Sequence, residues 1–153
     1  MRLAAVFVLL ALLLAAVPAG AAEPDLGQVW DRFDARIVDW PCLTVPRMRV
    51  VDWFPEPDGR WGSYSFGLRL VSVRSDAPSW VATHEFAHHL WSVCRVERRP
   101  LGRRFLAAVG SVRWDYQTQE WFAATLTWLL TGRGRQDIRR DVAWTLRPLV
   151  ADA

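Results

Sequence analysis

The sequence predicts an α+β protein: a small mixed or antiparallel sheet packed on a motif-bearing helix and on a second, glutamate-bearing helix. Three observations predict it. Arg47 to Asp52 and Tyr64 to Val73 alternate in the period of two that marks strands. Ser79 to Val96 contains no proline or glycine and repeats Ala82, Phe86, Leu90 and Val93 at helical spacing. Thr118 to Leu130 is a second helical stretch, strongly apolar, closed by Gly132-Arg133-Gly134.

The remaining elements follow in chain order. Met1-Arg2, the apolar run Leu3 to Val17 and the small residues Pro18 to Ala22 have the layout of a Sec-type signal peptide over residues 1–21. The run is short for a membrane span, which needs about 20 apolar residues, and a retained signal-anchor is the competing reading. Residues 22–153 then form one domain large enough for a real core. This predicts a secreted protein, expected as a monomer, with no stable membrane insertion once the signal is removed.

Asp25 to about Trp40 reads as a helix, with Trp30, Phe33 and Ile37 on one face and Pro41 stopping it. Pro55-Glu56-Pro57-Asp58-Gly59 is a turn, which suggests a hairpin between the two strands. Ser75-Asp76-Ala77-Pro78 carries the capping residue and early proline that open the central helix. Leu101 to Val109 is a short helix and Asp137 to Leu146 a last amphipathic one, with Trp121 and Trp128 of the intervening helix turned inward.

Net charge is +3 and every basic residue is arginine. Arg95 to Arg104 and Arg133 to Arg140 are rich in arginine, but no aromatic platform interleaves with them, so nucleic acid is not an expected partner. The two cysteines, Cys42 and Cys94, form an even pair in an exported chain and predict one disulfide. The ten tryptophans are most simply core and cleft lining.

The chemistry concentrates in Thr83-His84-Glu85-Phe86-Ala87-His88-His89, which holds all three histidines and reads H-E-x-x-H. His84 and His88 lie one helical turn apart on one face, so both imidazoles can reach a single metal ion. Glu85 leans over the same edge, where its carboxylate can take a proton from water. Neutral imidazole suits Zn²⁺. The bland alternative is a helix with two exposed histidines and a surface glutamate. His89, about 100° away round the helix, reads as an outer or surface histidine.

A catalytic zinc site uses three protein ligands, and no histidine is left. The candidates are Glu97, Asp115, Glu120, Asp137 and Asp141. Glu97 sits too far along the same helix from His88. Asp137 and Asp141 lie in a charged, Arg-laced segment. Glu120 opens an apolar helix, where a buried carboxylate needs a charge partner; the alternative is a glutamate favoured by the helix dipole.

His84-Glu85-x-x-His88, followed by Glu120-Trp121-Phe122-Ala123-Ala124 on a later helix, resembles the gluzincin metallopeptidases, closest to their compact single-domain kind. The resemblance covers residues about 64–131. It implies His84, His88 and Glu120 as zinc ligands, Glu85 as general base, and the Tyr64–Val73 strand as the edge along which a peptide lies. Two features depart from the pattern. Ala124 stands where larger members carry an aspartate that steadies a zinc histidine, so Asp115 or a backbone carbonyl is expected to take that part. The oxyanion donor is expected from Tyr116, or failing that Tyr64. The expectation is thus a secreted zinc-dependent endopeptidase acting on a peptide or protein substrate. The alternative is a secreted zinc-binding protein on the same fold without turnover.

Overall fold

The structure is a computed structural model and describes residues 23–38, 40–54, 59–134 and 138–151. The segment expected as a signal peptide, the Pro55–Asp58 part of the expected turn, and Asp137 lie outside the described residues. Among those described are four α-helices and a three-stranded mixed sheet, an α+β fold as the sequence predicts.

The first helix, α1 (Leu26–Arg36), starts where the Asp25 side chain accepts from the Gln28 amide at 3.0 Å. It buries Leu26, Trp30 and Phe33. It stops four residues short of the expected end because Ile37 turns extended and bridges Val150 from the other end of the chain. Two further backbone bonds hold that bridge, Val38 N to Leu149 O and Ala151 N to Arg36 O, both 2.9 Å. Long-range pairing outweighs four more residues of helix.

The sheet differs from the expected hairpin. The strands are β1 (Arg47–Val51), β2 (Gly62–Ser65) and β3 (Leu70–Arg74), in the order β1-β3-β2. β1 pairs with β3 in parallel, Met48 opposite Val71 and Val50 opposite Val73. β2 pairs with β3 antiparallel, Tyr64 opposite Val71. The stretch Tyr64 to Val73 is therefore a hairpin rather than one strand. It folds back at Phe66 to Arg69, where Arg69 takes a left-handed φ of 48°. Val71 and Val73 lie fully buried in the core.

The organising helix is α2 (Ser79–Val93). Every residue from Val81 to Leu90 is buried, so it behaves as a helix enclosed on all sides rather than as a surface element. It packs on α1, on β2 and β3, and most extensively on α4 (Tyr116–Thr131). The expected side-chain cap is not there: Pro78 occupies the N-cap position, and Asp76 pairs instead with Arg74. Cys94 closes the helix, Arg95 leaves it with φ 49°, and a 3-10 turn at Val96–Arg98 leads into α3 (Pro100–Ala108). Cys94 is joined to Cys42, which ties the loop before β1 to the end of α2.

α4 also departs in detail from expectation. Its buried face is Phe122, Ala123, Leu126 and Leu130, while Trp121 and Trp128 are half-buried on its flank. Arg139 lies over Trp121 and Arg140 over Trp128, 5.2 and 5.3 Å from the ring centroids. The second arginine cluster thus covers aromatic surface as well as meeting solvent. Beyond it the expected last helix is a 3-10 segment, Arg140–Thr145, followed by Arg147–Leu149. It buries Val142, Leu146 and Leu149.

One glycine fixes how α3 seats. A Cβ on Gly102 would lie 2.0 Å from the carbonyl oxygen of Val96 and 2.7 Å from its carbon. Both are backbone atoms of the preceding turn and cannot rotate away. Gly102→Ala is therefore expected to lower the unfolding free energy by roughly 2–3 kcal/mol, the cost of forced overpacking, as read by urea denaturation. A stability equal to the parent's would show that α3 is free to shift.

Candidate metal centre

α2 and α4 meet along the face that carries the motif. His84 and His88 project from successive turns of α2, and Glu120 from the first turns of α4, into one space. His84 Nε2 and His88 Nε2 are 3.2 Å apart. His84 Nε2 is 3.3 Å from Glu120 Oε2, and His88 Nε2 is 3.1 Å from Glu120 Oε1. The imidazoles are 5–7% exposed, so the alternative of two exposed histidines does not hold.

The spacing can be tested against a metal ion. Two donors that each sit ~2.0–2.1 Å from a tetrahedral ion lie about 3.3 Å from one another. The separation of the two imidazole nitrogens falls close to that edge length, and each nitrogen is about as near to one Glu120 oxygen, Oε2 for His84 and Oε1 for His88. The His-His-Glu group could therefore hold a metal ion, and it is the group found among the described residues with three such ligands in reach. Burial alone raises the Glu120 carboxyl, but hydrogen bonds with His84 and His88 outweigh it and hold the group far below the usual carboxylate range. Two nitrogens and a carboxylate oxygen form a borderline donor set suited to divalent first-row ions.

The cleft over this cluster has a volume of about 520 Å³. Glu85, Tyr64, Tyr116, Trp61 and Trp80 line it together with the three clustered side chains. Glu85 is 7% exposed. Gly62 of β2 presses on it: a Cβ there would stand 2.8 Å from Glu85 Oε1 and 3.0 Å from its Cγ. Only a glycine lets the edge strand come this close to the carboxylate. Gly62 lies two residues before the expected strand Tyr64 to Val73, and no sequence signal singled it out.

His89 is fully buried and does not join the cluster. Its Nε2 lies 2.7 Å from the carbonyl oxygen of Thr44, and its Nδ1 3.1 Å from the Tyr64 hydroxyl. The carbonyl can only accept, so Nε2 carries the proton and Nδ1 accepts from Tyr64. Burial is the main cause that pushes the His89 pKa down, which favours this neutral form. Tyr64 spends its proton on His89, which weakens its claim as an oxyanion donor. Tyr116 stands on the cleft wall and is 76% exposed.

Asp115 does something other than steady a histidine. It is the N-cap of α4, accepting from the Thr118 amide at 2.9 Å, while its own amide donates to Thr118 Oγ1 at 2.8 Å. His88 Nδ1 is buried without a hydrogen-bond partner among the described residues. Ala124, buried one turn beyond Glu120, supplies none. Glu97 is paired with Arg98 and Asp141 with Arg139, both away from the cluster.

No protein family, curated protein or solved structure matches this chain.

The geometry makes Glu120 the joint between two helices, so its loss should be felt in metal binding first. Glu120→Ala is expected to weaken metal binding by more than about a hundredfold, beyond the cost of losing an outer hydrogen-bond partner. Glu97→Ala should leave affinity within about twofold, as surface changes do. Competition titration with a metallochromic chelator reads both. Parent-like affinity in Glu120→Ala would remove the carboxylate from the ligand set.

Proposed function

We propose that the protein is a secreted zinc-dependent endopeptidase, with His84, His88 and Glu120 holding the metal and Glu85 as general base. The observation that carries this reading is the arrangement of the cleft. A third ligand from a separate helix leaves one side of the cluster open to a groove, and a buried carboxylate belonging to no ligand lines that same groove. A purely structural site is closed by four protein ligands, whereas a catalytic one keeps a position open.

A bound Zn²⁺ would supply Lewis acidity, polarising a carbonyl oxygen and making water acidic enough to ionise near neutral pH. The remaining steps belong to the chain. Glu85 accepts the proton from the attacking water and passes it to the leaving amine nitrogen as the C–N bond breaks. Its position against Gly62 fixes which way the carboxylate faces. β2 is an edge strand whose residues Gly62, Ser63 and Tyr64 line the cleft, and its unpaired side can take an extended peptide as a further strand. Tyr116, which also lines the cleft, is the candidate donor to the oxygen that becomes negative. Export fits the Cys42–Cys94 disulfide, which persists in oxidising compartments. No helix among the described residues is long and apolar enough to cross a membrane.

The second reading, a zinc-binding protein without turnover, is favoured by one observation: among the described residues His88 Nδ1 has no outer partner of the kind that metal-bound histidines ordinarily have. A peptide-library digest with the zinc-loaded chain separates the two. Chelator-sensitive cleavage is expected, with Glu85→Gln keeping the metal and losing at least about a hundredfold in kcat, the span typical of general-base catalysis. Stoichiometric zinc with no cleavage of any peptide would leave the binding protein.

Gly62→Ala offers a finer probe of the same machinery. The added methyl would press on Glu85 and, at 2.7 Å, on Val81 Cγ1, while none of the three clustered residues is among its nearest atoms. Metal affinity should stay within about twofold, while kcat falls by about tenfold or more, as ~1 Å misplacements of reacting groups do. Unchanged kcat would mean that the carboxylate is not held by the edge strand.

A further inference from the structure

A second cavity, of about 460 Å³, lies next to the metal cleft. Trp80 lines both, so the two cavities adjoin at this residue. The second cavity is walled by α1, the first turns of α2 and the end of α4. Arg32, Arg36 and Arg133 all face it, and among the described residues no acidic side chain lines it. Arg36 donates through Nη1 to the Leu130 carbonyl at the end of α4, yet its Nε is buried with no hydrogen-bond partner among the described residues. Ser79 and Thr83 complete the polar lining, next to a helix start that has no side-chain cap.

Arg32 and Arg133 are exposed, and Arg32 also donates to Gln28 Oε1, but the three guanidinium groups share one cavity with no counter-charge among its described lining, and the buried Nε–H of Arg36 adds a desolvation cost. An anion relieves both at once. Guanidinium recognises planar carboxylates through paired N–H donors, and the amides at a helix start favour the same charge.

The position indicates where such a carboxylate comes from. Trp80 precedes His84 by four residues, about 6 Å along the helix axis. A peptide extended across the cleft and over the indole reaches the arginines in two to four residues, roughly 7–13 Å of chain. We propose that this cavity is a carboxylate-accepting subsite, taking an acidic side chain or the terminal carboxylate of the same peptide that lies over the metal centre. The subsite selects acidic peptides and deepens the peptidase reading, on which it rests. It is separate from the residues that carry the chemistry.

The test uses the full, zinc-loaded chain and a peptide that it cleaves. Glu and Gln are exchanged at each of four positions on both sides of the scissile bond, and a free C-terminus is compared with its amide. Glu at one position, two to four residues from the cut, should raise kcat/KM by about tenfold over Gln, the scale of one charge-assisted hydrogen bond. A free terminus at that distance should do the same if the carboxylate is terminal. The advantage should fall below about twofold in an Arg32→Gln/Arg133→Gln double variant, which spares the helix-capping Arg36, while neutral peptides are cut at the parent's rate. No preference at any position, or a preference that survives the double variant, overturns the subsite.

A binding measurement separates this outcome from failure of the peptidase reading. Calorimetric titration of Glu85→Gln protein with the acidic peptide, its Gln counterpart and inorganic phosphate needs no turnover. Acidic-peptide binding lost in the added double variant supports the subsite, even where nothing is cleaved. Binding of phosphate but of neither peptide makes the cavity a pocket for free anions and overturns the proposal.

Discussion

The structure depends on one constraint: a helix enclosed on all sides that nevertheless carries four ionisable residues in a row of six. From Val81 to Leu90 nothing on α2 reaches solvent freely, yet His84, Glu85, His88 and His89 all lie there. A buried polar group without a partner costs more than most single contacts return. Each neighbouring element can be understood by the partner it brings. α4 brings Glu120 to His84 and His88. β2 brings Tyr64 to His89, and the loop before β1 brings the Thr44 carbonyl. The disulfide fixes that loop to the end of the same helix. Polar satisfaction and hydrophobic packing thus select one arrangement, and the site follows from the way the core is made.

His89 shows how closely these demands interlock. Its position on the helix turns it away from the metal cluster by about 100°. There it meets Trp30 edge-on and lies beside Tyr64, with ring centroids 6.0 and 5.5 Å away. A neutral imidazole in that place connects the sheet edge to the loop and sets the orientation of a tyrosine on the cleft wall. His84 and His88 differ from this one because a rotation of one residue along the helix changes the neighbour from α4 to β2.

Much of this was legible in the sequence. The fold class, the four helices and the His-His-Glu convergence followed from periodicity, from H-E-x-x-H, and from a glutamate at the start of an apolar helix. What was not legible depended on distant partners. α1 ends early because Val150 competes for Ile37, and no local signal announces a strand partner more than a hundred residues away. The single long strand became a hairpin because its alternation continues across Phe66 to Arg69, so period two could not show the turn. Asp115 reads equally well as a helix cap or as an outer partner of a ligand, and only the Thr118 geometry decides for the cap. Gly62 and Gly102 matter through atoms they lack, a property visible only once the facing groups are placed.

The absence of an aspartate partner for His88 bears on how the centre is held. Ligand histidines are ordinarily oriented by a second hydrogen bond, and here Nδ1 of His88 has none among the described residues. Its ring is instead constrained by packing: it lies edge-on to His84 at 4.8 Å between centroids, and Phe66 of the hairpin turn stands at 6.5 Å. Phe66 in turn contacts Tyr64 and Trp91. Steric confinement can fix the angle of an imidazole as firmly as a hydrogen bond. It cannot raise the basicity of the ligand nitrogen, which a carboxylate partner does. An ion in such a centre would be held in fixed geometry but less tightly, which would place the burden of affinity on the Glu120 carboxylate and on the joint between α2 and α4.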